Sequence, residues 1–163
     1  MELTKTFRFE ASHVLPKHKG KCSRLHGHSW VLHVSVEGSI DPETGFVMDF
    51  AEISEAVKPL IERLDHRHLG TWTIPSTTGL GYQMLHFPGW GVTGMPTGFY
   101  PTSENLLAWI GLQLSGLSWS KLSIEETCTS RATLTREEYD GHTQADLDHE
   151  SRAIDLGGSA GER

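Results

Sequence analysis

Cys22-Ser23-Arg24-Leu25-His26-Gly27-His28 runs without a break into Ser29-Trp30-Val31-Leu32-His33-Val34-Ser35-Val36. In an extended chain, side chains two apart share a side. Trp30, Leu32, Val34 and Val36 therefore form one apolar face, and His26 and His28 continue its phase toward the core. Gly27 between them permits close backbone approach. The N-terminal stretch repeats the pattern: Phe7, Phe9, Ala11 and His13 share one side, and Thr4, Thr6, Arg8, Glu10 and Ser12 the other. If these two strands pair, three imidazoles converge at one end of a sheet. A lone inward histidine more often just bonds a backbone group. Three of them, with a cysteine four residues before the pair, point instead to the ligand set of a catalytic zinc with one open position.

The pattern predicts strands over 3–12 and about 28–37, then a turn at Asp41-Pro42-Glu43-Thr44-Gly45. Asp49 and Glu52 make a capping box. Ile53, Val57, Leu60, Ile61 and Leu64 lie on one face of the helix that follows, across an interior Pro59. Asp65-His66-Arg67-His68 closes it. A second helix begins at Thr102 or Ser103, with Leu106, Leu107, Ile110, Leu114 and Leu117 as its buried stripe. The last two strands form a hairpin. Leu122, Ile124 and Glu126 share its inward phase, whereas Glu125 falls on the solvated one. The order strand, strand, helix, helix, strand, strand predicts an α+β layer: a four-stranded antiparallel sheet with two helices on one face.

Residues 70–100 are rich in Gly, Pro, Thr and aromatics, including Trp72, Tyr82, Trp90 and Phe99, and carry His86, to which no role is assigned. A connection this long, with these aromatics, reads as a lid or a subunit-contact loop rather than the alternative of a variable surface excursion. From Arg136 the chain reads as an acidic, partly mobile tail, divided from a domain over 1–135. The net charge of −7 argues against nucleic-acid binding. No run is long and apolar enough for a membrane span, and no leader is recognisable. Cys22 and Cys128 are the only cysteines and read as reduced thiols of a cytoplasmic protein, Cys128 in the hairpin turn. Lys17, Lys19, Lys21 and Arg24 crowd the connection before His26, where a basic cluster suits an anionic substrate and, on composition alone, equally an ordinary solvated loop.

In order, Phe9-x-Ala11-x-His13, Cys22-x-x-x-His26-Gly27-His28, Leu64-Asp65-His66, Pro101-Thr102-Ser103-Glu104-Asn105 and Ile124-Glu125-Glu126-Thr127 resemble one family. It is that of 6-pyruvoyl-tetrahydropterin synthase and 6-carboxytetrahydropterin synthase. The resemblance spans Leu3 to Leu134 apart from 70–100. The short gap between Cys22 and His26 is similar to that of the bacterial 6-carboxytetrahydropterin synthases. It implies the T-fold (tunnelling fold), with subunit sheets joined edge to edge into a barrel as a trimer or hexamer and pterin sites between subunits. It implies Zn2+ on His13, His26 and His28, with Cys22, Asp65 and His66 catalytic. Glu126 would hold the amino and ring N–H edge of a pterin, which a carboxylate's two acceptors suit. Thr102, Glu104 and Thr127 would surround that ring, and Lys21 and Arg24 would face a triphosphate. The implied reaction turns 7,8-dihydroneopterin triphosphate into 6-carboxytetrahydropterin, losing triphosphate and acetaldehyde, early in deazapurine biosynthesis. Rival readings are pyruvoyl formation, a non-catalytic zinc or pterin-binding module, and a metal-free pterin aldolase of the same fold. His68 and Gly70 depart from the family pattern, where Tyr or Asn, and Asn, are common.

Overall fold

The computed structural model describes residues 1–70, 73–75, 82–84, 91–96 and 98–141. Trp72, His86, Trp90 and the chain after Gly141 lie outside the described residues, with whatever the sequence suggests for them. Strands β1 (Glu2–His13) and β2 (His26–Glu37) pair antiparallel over their whole length, with Phe9 opposite Trp30, Ala11 opposite His28 and His13 opposite His26. The period-two alternation sends Phe9, Ala11, His13, Trp30, Leu32, Val34 and Val36 into the core. Trp30 is fully buried and its Nε1–H donates to the Ala11 carbonyl at 3.1 Å, so the ring locks the two strand ends together. Truncating such a ring to alanine costs about 3–5 kcal/mol.

Helix α1 (Phe50–Leu64) starts as the sequence indicates. The Asp49 carboxylate accepts from the first turn and the Glu52 side chain closes the box. The helix runs through Pro59 and buries Ile53, Val57, Leu60 and Leu64. Helix α2 (Ser103–Gln113) is capped by the Thr102 hydroxyl, which accepts from Asn105 N–H. Its buried residues include Trp109.

The sheet differs from the expected four strands. A short β3 (Arg67–Leu69) pairs parallel with the end of β1, His68 beside Ser12 and Leu69 beside His13. With β6 (Trp119–Thr127) and β7 (Ser130–Thr135) the order is β3-β1-β2-β6-β7. The chain leaving α1 thus covers an edge of β1 whose N–H and C=O groups need partners. A second small ladder, β4 (Thr73–Pro75) with β5 (Tyr82–Met84), lies within the inserted segment. Its returning end is docked rather than loose. Val92 is buried, Met95 and Phe99 pack against the core, and Arg63 donates to the Thr93 carbonyl at 2.6 Å from over the Trp109 ring. After β7, Arg136–Gly141 forms a short helix, α3. Tyr139 lies against Trp119, and Gly111 of α2 leaves room for both rings. No helix among the described residues is long and apolar enough to cross a membrane.

Candidate metal centre

The parity of β1 and β2 delivers His13, His26 and His28 to one point. His13 Nε2 lies 3.1 Å from His26 Nε2. Glu126 Oε1 lies 3.2 Å from His13 Nε2 and 3.0 Å from His28 Nε2. One donor atom from each of these four residues falls within 4.8 Å of every other. A tetrahedral zinc with bonds of about 2.0–2.1 Å has ligand atoms roughly 3.3 Å apart, close to these separations.

The rings are aimed from behind. His13 Nδ1–H donates to the Pro101 carbonyl at 2.8 Å, and His26 Nδ1–H to the Arg24 carbonyl at 2.7 Å. A neutral ring with its proton on Nδ1 has a lone pair on Nε2, so two lone pairs face each other. Burial pushes the pKa of His13 down despite the Pro101 bond and the nearby carboxylate, and burial also lowers that of His28. Burial thus works against His13 and His28 taking up a proton. His28 Nε2 is buried and makes no well-aligned hydrogen bond, although Glu126 is near. Three imidazole nitrogens and a carboxylate oxygen this close together, with Nε2 of both His13 and His26 left as acceptors, fit a divalent cation, and nitrogen with carboxylate oxygen suits zinc.

Glu126 arrives through an irregularity of β6. The β6–β7 register shifts between Glu125 and Thr127, and such a bulge re-aims a side chain. Its second oxygen, Oε2, accepts from Ser103 Oγ at 3.1 Å. Glu125, expected in water, is instead held on the opposite face. His33 Nε2 lies 3.0 Å from it, Arg131 donates to it, and together they hold its carboxyl below the usual range, the Arg131 bond being the larger cause.

Asp65 and His66 sit just before β3. Asp65 Oδ1 accepts from the Glu10 backbone N–H at 2.8 Å, and Oδ2 pairs with His66 Nδ1 at 2.8 Å. The Glu10 bond first and the His66 bond second lower the Asp65 pKa, so the carboxylate stays ionised beside its imidazole. His66 has a left-handed φ of 56°, unusual for a residue with a Cβ, and its N–H donates to Glu10 O at 2.6 Å. Its side chain is largely exposed. Both His66 and His28 line an open cleft of about 360 Å3 that also includes Glu10, Ser12 and His68.

Cys22 lies half-buried in a single 3-10 turn (Lys21–Ser23) and its carbonyl accepts from Leu15 N–H. It is outside the four-residue cluster. Lys21 and Arg24 are exposed in the same connection. Thr102 caps α2, and Glu104 is exposed in that helix's first turn. Thr127 is exposed at the end of β6, its hydroxyl 3.3 Å from that of Thr129. Sequence reasoning missed Ser103, the Pro101 and Arg24 carbonyls, and the Ser12 hydroxyl, which lies 3.1 Å from Nδ1 of the buried His68. Ser103 stands within the Pro101-Thr102-Ser103-Glu104-Asn105 motif. The carbonyls carry no side-chain signature to find.

The family profile described as 6-pyruvoyl tetrahydropterin synthase matches residues 2–137. The chain belongs to this family. It is 38% identical over 136 residues to a Synechocystis protein named 6-carboxy-5,6,7,8-tetrahydropterin synthase, covering 78% of this chain and 88% of that one. An Aquifex aeolicus protein of the same name is 32% identical over 161 residues, covering 83% and 98%. A solved structure of Caenorhabditis elegans 6-pyruvoyl tetrahydropterin synthase superposes with a TM-score of 0.63 at 23% identity, covering 83% of this chain and 94% of that one. The fold is therefore the T-fold: a mostly antiparallel sheet, here of five strands, carrying two long helices.

Proposed function

We propose that this protein is a zinc-dependent 6-carboxytetrahydropterin synthase. It converts 7,8-dihydroneopterin triphosphate and one water to 6-carboxy-5,6,7,8-tetrahydropterin, triphosphate and acetaldehyde, as an early step of deazapurine biosynthesis of the queuosine type. The observation that carries this reading is the convergence of three imidazole nitrogens with a carboxylate oxygen. Relatives bearing the synthase name over most of their length support it.

His13, His26 and His28 would hold the metal, with Glu126 within reach of the fourth corner. When bound, zinc would supply a positive charge that acidifies the O–H of substrate oxygens drawn to it and the C–H groups beside them. Cys22, as thiolate, would move one proton at the substrate side chain. His66, its Nδ1–H anchored on the ionised Asp65, presents Nε2 to solvent and would carry a second proton. Glu126 would bind the paired N–H groups of the pterin edge, with Thr102, Glu104 and Thr127 around the ring. Lys21 and Arg24 would meet the triphosphate. A trimer or hexamer in a cytoplasmic setting, with Cys22 and Asp65–His66 acting from neighbouring subunits, completes the proposal.

A second reading has its own support. The family description is the pyruvoyl enzyme, and a Dictyostelium discoideum protein named 6-pyruvoyl tetrahydrobiopterin synthase is 33% identical over 89 residues, 48% of this chain. That reaction keeps the side-chain carbons. Incubating the protein with zinc and 7,8-dihydroneopterin triphosphate and weighing the product decides. The 6-carboxy mass with stoichiometric acetaldehyde is expected, and the pyruvoyl mass would transfer the protein to the rival reaction. Retained pterin binding without product over hours would make it a binding module.

A further inference from the structure

Gly70 follows β3 directly, one residue after Leu69, which lies beside His13 in the parallel β1–β3 register. Its φ is 84°, in the left-handed region. A Cβ on it would lie 2.8 Å from the Phe99 carbonyl oxygen and 2.9 and 3.0 Å from Cδ and Cγ of Pro101. Real Cβ atoms do not approach backbone so closely. The returning end of the inserted segment therefore rests directly on the bare Cα of Gly70. The Gly70 N–H donates to Met95 Sδ at 3.2 Å, holding the same segment from another side. Pro101 is buried, and its carbonyl receives the His13 Nδ1–H at 2.8 Å. The contacts close a circuit: His13, Leu69, Gly70, Pro101 and back to His13.

We propose that Gly70 is a positioning residue of the metal centre. The space left by its missing side chain seats the Pro101 carbonyl on His13, and that bond fixes the tautomer and the aim of the His13 nitrogen that faces the cation. The proposal rests on the metal reading of the cluster and needs no particular reaction. Left-handed backbone alone does not demand glycine here, because asparagine also tolerates it. The close approach does: asparagine would carry a Cβ into the same three atoms. Moving the carbonyl lets the His13 proton redistribute between its two nitrogens, and Nε2 loses its standing as an acceptor.

Gly70→Asn separates these two demands, and Pro101→Ala keeps the carbonyl while removing the ring that packs on Gly70. Three measurements apply to each protein. They are the 15N chemical shifts of the His13 ring without metal, the zinc affinity by competition with a chromophoric chelator, and the melting temperature without metal. Gly70→Asn should turn a single Nδ1–H tautomer of His13 into a mixture and weaken zinc binding about 10–100-fold, the usual cost of losing such a partner. Pro101→Ala should shift both readouts the same way by less. The His26 ring, held by Arg24, should not change. Wild-type tautomer and zinc affinity in either variant would overturn the proposal, and so would a lowered melting temperature with both intact. If Gly70→Asn does not fold, Pro101→Ala carries the test alone. A wild type that takes no zinc defeats the metal reading itself, whereas zinc-binding variants that match the wild type defeat only the role of Gly70.

Discussion

His68→Asn should remove a large part of the protein's sensitivity to acid. His68 is 1% exposed, and its pKa is lowered to about 4, by burial first and by the nearby His13 second. In the unfolded chain the same imidazole titrates near 6.5. Between those values the unfolded form binds a proton that the folded form refuses, so falling pH draws the equilibrium toward unfolding. Above 6.5 both forms are neutral and there is no penalty. Below about 4 both are charged and the loss stops growing. A gap of about 2.5 units corresponds to roughly 3 kcal/mol at 1.36 kcal/mol per unit. Asparagine can still meet the Ser12 hydroxyl that now lies 3.1 Å from His68 Nδ1, but it has nothing to titrate. Urea unfolding of both proteins from pH 7.5 to 4, with a chelator present, measures the difference. The wild-type midpoint should fall by about 1–3 M more than that of the variant over this range. His13 and His28 add to the acid loss with the same sign but in both proteins, so they cancel. Parallel stability curves would refute the reasoning and mean that His68 takes up its proton without unfolding the chain.

Three other outcomes are expected. His26→Ala should abolish one-to-one zinc binding measured by metal analysis after dialysis, and chelation of the wild type should lower its melting temperature until zinc is restored. Glu126→Gln keeps the shape but removes a charge-assisted acceptor, so product formation should fall about 10–100-fold while one zinc per chain is retained; loss of the zinc instead would make Glu126 a ligand before a ring anchor. Asp65→Asn can still accept from the Glu10 N–H, so unfolding should change by less than about 1 kcal/mol, whereas turnover should drop by about 100-fold or more as His66 loses its anionic partner.

The parts of the fold that were legible in the sequence are those fixed by a local period. Alternation alone places His13, His26 and His28 on one side of two strands, because a one-residue slip would turn every apolar partner outward as well. Asp49 and Glu52 mark the start of α1 because both ends of a capping box lie within four residues. The β3 strand is not legible this way. Arg67-His68-Leu69 is too short to show a period, and it is a strand only because the edge of β1 needs partners where the chain returns. Parity puts Glu125 outward, but its company requires the register that sets His33 and Arg131 beside it. Tyr139 sits among acids that read as tail, and nothing local announces that Trp119 and a helical glycine make a seat for it. The carbonyl behind His13 comes from 88 residues away and belongs to a backbone group that any residue carries.

The candidate metal centre and the hydrophobic core share a wall. His13 and His28 both stand edge-on to Trp30, at centroid distances of 5.3 and 5.5 Å. The same folding event that buries Trp30 and ties it to the Ala11 carbonyl therefore orients two of the three imidazoles before any cation binds. The burial that drives that event also keeps His13 and His28 neutral, the state in which they can ligate. Core formation thus meets the ordering cost and the deprotonation cost of two candidate ligands. The third, His26, leans on the Arg24 carbonyl of the basic connection, the same segment that bears Cys22. A shift of that connection would therefore reach His26 and Cys22 together, whereas His13 and His28 rest on Trp30.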